Sequence, residues 1–375
     1  MDIRLTDEQE LLKSSVQRLL KDKYSFETRR KIVASEKGWS RDHWKAFADM
    51  GLLAAPLGEE FGGLGARPVA TMIVMREFGR HLVVEPFFET VVLAGGLIEA
   101  EGDEGQKQEH LAQIASGDAV WALAWAERKS RYELYDVETT ARREGDEYVL
   151  DGTKIAVVGA PWADKLIVSA RTSGARRDRG GTSLFIVDRQ AANLHLQSFK
   201  TIDGRRAAEI SLAGVRVPAA DMLGKAGQGS RMLEACRDRA IGALCSEAVG
   251  AMAELNASTL EYSKTRKQFG VALGTFQVLQ HRMVDMFVAL EESISLSQHL
   301  TLSLTSPDGA SKLAAGTKSK VLYAARFVGE QAIQLHGGMG MSDELDVGHY
   351  FKRIGAIDIA FGDSAFHLKR YARAA

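Results

Sequence analysis

Tyr148-Val-Leu-Asp-Gly-Thr-Lys154 reads as two short β runs meeting at Asp151-Gly152, a pair that tolerates the positive φ of a type I′ turn, and so predicts a hairpin. Similar strand-length runs, bounded by Gly, Asp and Asn, surround it: Thr139 to Arg143, Glu147 to Leu150, Leu166 to Ala170, Ser183 to Val187 and Glu209 to Leu212. Closely spaced runs with turn signals predict a β-sandwich or barrel of roughly a hundred residues, from Trp121 to about Leu223. The polar, Arg-rich stretch from Thr172 to Gly181 then forms an exposed loop.

On either side the period changes from two to between three and four. In Thr6 to Leu20 the apolar positions Leu11, Leu12, Val16, Leu19 and Leu20 share a helix face, with Thr6 as N-cap. From about Ser40, Trp44, Phe47 and Met50 line up in a second helix that stops at Gly51. The Gly-rich turn from Pro56 to Gly65 leads to a further helix carrying Thr71 to Phe78. After Gly229 the helical period holds nearly to the end: Leu279, Met283, Met286, Leu290 and Ile294 form one stripe, and Val321, Ala325, Val328, Ala332 and Leu335 another. Long amphipathic helices of this kind pack as a bundle. The expected fold class is therefore α+β, with a helical domain over 1–115, a β domain over 116–225 and a helical bundle over 226–375.

The 375 residues are 45% hydrophobic, enough for two to three domains with real cores. Lys plus Arg number 48 against 49 Asp plus Glu, so no global basic field is available to hold a nucleic acid or an anionic membrane. No apolar run reaches the roughly 18 residues of a membrane span. The stretch Met1 to Leu20 lacks the apolar core of a signal peptide, and the two cysteines, Cys236 and Cys245, have neither disulfide nor metal spacing. A cytoplasmic protein is expected.

Two motifs carry chemistry. Tyr262-Ser-Lys-Thr-Arg-Lys-Gln-Phe-Gly270 puts a cation, an amide and an aromatic at a helix end: Arg266 suits a phosphate, and Phe269 offers a face to a base or sugar. Alternatively, Gly270 caps the helix and the basic residues answer its dipole. Gln334-Leu-His-Gly-Gly-Met-Gly340 follows another helix, and its glycines allow backbone N–H groups to approach an anion.

These motifs, together with Glu59-Glu-Phe-Gly-Gly-Leu-Gly65 and Val215-Arg-Val-Pro218, resemble the acyl-CoA dehydrogenase family in order over nearly the whole chain. The wording is most similar to its small-subunit branch, the one represented by the pimeloyl-CoA dehydrogenase small subunit. The resemblance implies an N-terminal helical domain, a middle β domain and a C-terminal four-helix bundle, FAD as cofactor, an acyl-CoA substrate and an electron-transfer flavoprotein as acceptor. It also implies a tetramer, with itself or with a homologous large subunit. Arg266, Gln268 and Phe269, with Gln334, Gly337 and Gly338, match positions that reach across a subunit interface to a neighbour's flavin.

The remaining positions depart from the family. In the β domain only Glu127 matches the usual flavin-side motif, and the aromatic and hydroxyl that flank the flavin ring fall on Ala156 and Val158. The usual base falls on Phe361, and its alternative location on or near Ala240. Two carboxylates stand in for it: Glu247, on the stripe of Ala240, Leu244, Ala251 and Leu255, and Asp363 beside Phe361. Glu247 is either a buried base or a structural glutamate paired with an Arg. The chain is accordingly either a working dehydrogenase subunit or a silent one that completes a partner's flavin site.

Overall fold

The strand that contains Asp151-Gly152 does not turn there. In the computed structural model, which describes residues 4–65, 67–306 and 310–374, the tight turn lies at Gly145-Asp146, where Glu144 pairs with Glu147 and Gly145 takes φ 63°. Gly152 instead has φ 154° beside a register shift in a continuous strand. A Cβ at Gly152 would stand 2.4 Å from the Thr139 hydroxyl, and the Asp151 carboxylate accepts from Gly214 N at 2.8 Å. The dipeptide thus makes a β-bulge, which needs the same freedom of φ as a hairpin turn.

In chain order the helices and strands are α1 (Asp7–Lys23), α2 (Phe26–Ala34), α3 (Arg41–Asp49), α4 (Arg67–His81), α5 (Gly96–Glu101) and α6 (Glu104–Ala115), then β1 (Trp121–Ala124) and β2 (Thr140–Glu144). They continue with β3 (Glu147–Val158), β4 (Lys165–Arg171), β5 (Thr182–Asp188), β6 (Leu194–Lys200), β7 (Arg206–Pro218) and β8 (Met222–Leu223). The last stretch holds α7 (Gly229–Thr265), β9 (Lys267–Gln268), β10 (Val271–Ala272), α8 (Gln277–Ser303), α9 (Ala310–His336), α10 (Val347–Ile359) and α11 (Ser364–Arg373). Helix, sheet, helix is the order expected, although α2, β1 and β6 go beyond the predicted runs. Thr6 caps α1 through a reciprocal pair with Gln9; Met1 to Ile3, the start of the stretch read as lacking a signal-peptide core, lie outside the described residues. In α3, Trp44 and Phe47 are buried, whereas Met50 follows the helix as its C-cap and is 37% exposed.

The chain divides into two compact units. One comprises Ile32–Arg67 and Val84–Ala240 and contains the sheet, with strand order β6-β7-β3-β2-β4-β5-β8 and β1 parallel to β4. Its apolar core gathers Leu150, Leu166, Val168, Phe185, Ile210 and Val215. The other comprises Met1–Lys31, Pro68–Val83 and Ile241–Ala375, a helical assembly. Here α4 and α7 meet backbone to backbone: a Cβ on Gly79 would stand 2.0 Å from the Glu247 carbonyl oxygen, and one on Gly250 1.9 Å from that of Arg76. Only glycine permits this approach, which brings α4 against the turn of α7 that carries Glu247. Among the described residues no helix is long and apolar enough to cross a membrane.

Candidate functional site

The residues matched to the flavin of a neighbour gather at one end of the helical unit. Helix α7 closes with Arg266 N donating to Tyr262 O at 2.8 Å, and β9 and β10 form a two-residue hairpin whose tip, Phe269-Gly270, has φ 54° and 83°. Paired positive φ values are what a type I′ tip requires, and they push Phe269 outward until its ring is 92% exposed. Arg266 and Gln268 are exposed on the same hairpin, with no side-chain partner among the described residues.

Helix α9 ends beside it. The Tyr262 and His336 rings stack with centroids 4.3 Å apart, and the Tyr262 hydroxyl donates to His336 O at 3.4 Å. Gln334 is exposed on the last turn; Gly337 follows with φ 58°, and open space surrounds the Cβ positions of both Gly337 and Gly338. A guanidinium, two amide side chains, an uncovered ring and an open glycine backbone fit the diphosphate and adenosine side of FAD. Charge-assisted hydrogen bonds would hold the diphosphate, and the ring would stack on a sugar or base.

In the sheet unit the flavin-ring side is different. Ala156 takes φ 51° at the second bulge of β3, and it and Val158, the two positions that the resemblance sets against the flavin ring, carry only apolar side-chain atoms. These two side chains do not fit the ring. The matching Glu127 is committed elsewhere: buried, it accepts from Glu138 N at 2.7 Å, Thr139 N at 3.1 Å, the Thr139 hydroxyl at 2.7 Å and Lys154 Nζ at 2.7 Å. The Lys154 charge and these donors outweigh burial and hold the Glu127 carboxyl below its usual range. Glu127 therefore fixes the loop before β2 to β3.

The two carboxylates proposed as bases have structural partners. Glu247 is buried and receives Arg353 Nε at 2.6 Å and Nη2 at 2.8 Å, a two-pronged pair in which both carboxylate oxygens are engaged. Asp363 caps α11 by accepting from Phe366 N at 2.7 Å. Phe361 is buried at φ 57°, its carbonyl accepting from His367 Nε2 at 3.0 Å. Lys318, fully buried on α9, donates to Ile357 O at 2.6 Å and Ala360 O at 3.1 Å, and burial lowers its pKa to about 8. The turn at Phe361 is thus tied down, and at the position that the resemblance gives to the base it carries a buried phenyl ring, which cannot accept a proton.

Sequence reasoning missed Lys318 and the Tyr262–His336 stack. Each joins residues far apart in the chain, and the only local signal was His336 standing directly before paired glycines.

Comparison with known proteins agrees with this architecture. Models of the acyl-CoA dehydrogenase N-terminal, middle and C-terminal domains match residues 6–118, 122–215 and 227–375. The chain is 30% identical to the probable acyl-CoA dehydrogenase YngJ of Bacillus subtilis, with 97% of each protein covered. Among solved structures it is similar to a Tcur3481-Tcur3483 steroid ACAD at 26% identity and a TM-score of 0.89, covering 98% of this chain and 97% of that one. It shares the fold of the ChsE4-ChsE5 complex of Mycobacterium tuberculosis, with a TM-score of 0.90 at 23% identity over 100% of this chain and 98% of the other. With all three domain models matched in order, the chain belongs to the acyl-CoA dehydrogenase family, FAD-dependent oxidoreductases acting on CH–CH groups.

Proposed function

We propose that the chain is the small subunit of a heteromeric acyl-CoA dehydrogenase, similar to the pimeloyl-CoA dehydrogenase small subunit, and completes the flavin site of a homologous large subunit. One contrast supports this reading: the exposed arms around Arg266, Phe269, Gln334, Gly337 and Gly338 suit a neighbour's flavin, while Phe361, Ala156 and Val158 leave the chain's own positions without a base or a hydroxyl. FAD, when bound, accepts hydride from the β carbon of an acyl-CoA thioester while a base removes the α proton. In this chain Arg266 neutralises and orients the diphosphate, Phe269 covers the adenosine side from water, and Gln268 and Gln334 supply amide hydrogen bonds. The base comes from the partner.

A dicarboxylyl or other bulky acyl group suits such a complex, with an electron-transfer flavoprotein as acceptor. A reducing cytoplasm suits the buried free thiols Cys236 and Cys245.

A second reading, an active homo-oligomer, would need Glu247 or Asp363, the two carboxylates that the sequence offers in place of the usual base. Purification of the chain alone and after co-expression with a homologous large subunit separates the two. Flavin absorbance and its bleaching by acyl-CoA are expected only in the co-expressed complex. A chain that is yellow by itself and bleaches on addition of acyl-CoA overturns the proposal.

A further inference from the structure

The flavin-facing arms come from helices that end independently, α7 at Thr265 and α9 at His336, so something must set the distance between them. Tyr262 is placed to do so. Its backbone carbonyl accepts from Arg266 N and starts one arm, while its ring and hydroxyl hold His336, the residue before the glycine turn that forms the other. His336 is itself fixed, buried with Nδ1 at 2.8 Å from Ala332 O. The His336 carbonyl also opens the short 3₁₀ turn Gly337–Met341, and the Tyr262 hydroxyl adds a second donor to it, so the peptide entering Gly337 is held while Gly337 and Gly338 keep their open face.

We infer that Tyr262, acting through His336, is a positioning residue that sets the spacing and aim of the two arms toward a partner's FAD. This inference rests on the heteromeric reading above. A hydroxyl alone is worth about 0.5–1.5 kcal/mol, or roughly a 2- to 12-fold change in an equilibrium or rate.

The test uses the co-expressed complex and follows FAD release by recovery of flavin fluorescence, with thermal unfolding of the same samples in parallel. Tyr262→Phe, which keeps the stack and loses the hydroxyl, is expected to release FAD several-fold faster at an unchanged unfolding temperature. Tyr262→Ala, which loses both, is expected to release it faster still. Arg266→Ala serves as the reference for the arm itself. If Arg266→Ala speeds release and Tyr262→Phe matches the wild type, the arms hold flavin without this joint and the inference fails. If Arg266→Ala also matches the wild type, the arm does not touch flavin and the underlying reading falls instead. A Tyr262→Phe variant whose faster release is accompanied by an equal loss of unfolding temperature also overturns it, since the hydroxyl then acts on stability alone.

Discussion

Replacing Glu247 with alanine is expected to destabilise the helical unit by about 3–5 kcal/mol, because it removes the carboxylate that takes both Nε and Nη2 of the largely buried Arg353 guanidinium. Both side chains are largely withdrawn from solvent, at 11% exposure for Arg353 and 3% for Glu247, so water cannot replace the lost partner. Chemical denaturation of the variant measures the loss. The double variant Glu247→Ala with Arg353→Met is expected to recover much of it, since an empty pair costs less than half of one. Glu247→Gln keeps the shape and part of the hydrogen bonding. If Glu247→Gln in the complex abolishes turnover at wild-type stability and flavin content, Glu247 is a base and its role as an ion-pair partner is secondary.

Loss of Arg266 is expected to act on ligand and not on fold. Its side chain is exposed and has no partner among the described residues, so Arg266→Ala should leave unfolding unchanged. In the complex it removes charge-assisted hydrogen bonds worth about 1.5–3 kcal/mol, which is roughly a 10- to 150-fold weakening of FAD. Phe269→Ala is expected to cost less, since it removes stacking alone. Flavin content after dialysis, and the dissociation constant from titration of apo-complex with FAD, read both. Wild-type affinity in both variants would detach this hairpin from the flavin.

The outline of the fold was legible because it depends on periods. The stripe of Val321, Ala325, Val328, Ala332 and Leu335 is buried throughout, as its spacing predicts. β1 was not legible, since its four residues are all buried and show no alternation. β6 was missed for the opposite reason, being largely exposed at the edge of the sheet. Asp151-Gly152 misled because a bulge and a type I′ turn demand the same conformational freedom, and only the continuing pairing of β3 with β7 tells them apart. The stripe through Glu247 could be read locally and its burial followed. Its partner Arg353 lies 106 residues further on, beyond any periodic signal. The same limit hid Tyr262 and His336, which are 74 residues apart.

Lys318 gives the molecule an acid–base signature of its folding. Enclosed with Cys245, Asp358, Arg353 and Glu247 around it, its ammonium has a pKa of about 8, against 10.5 for an open lysine, and burial is the main cause. Between those two values the unfolded chain binds more protons at this residue than the folded one does, so this contribution to stability rises with pH across that window. Folding near pH 9 must then expel a proton from the Lys318 site into solution. Calorimetry in two buffers of different ionisation enthalpy should record unequal heats, and the inequality should shrink in Lys318→Met. In mildly alkaline solution, the tethering of the Phe361 turn is thus chemically an ionisation, with the surrounding buffer as its second reactant.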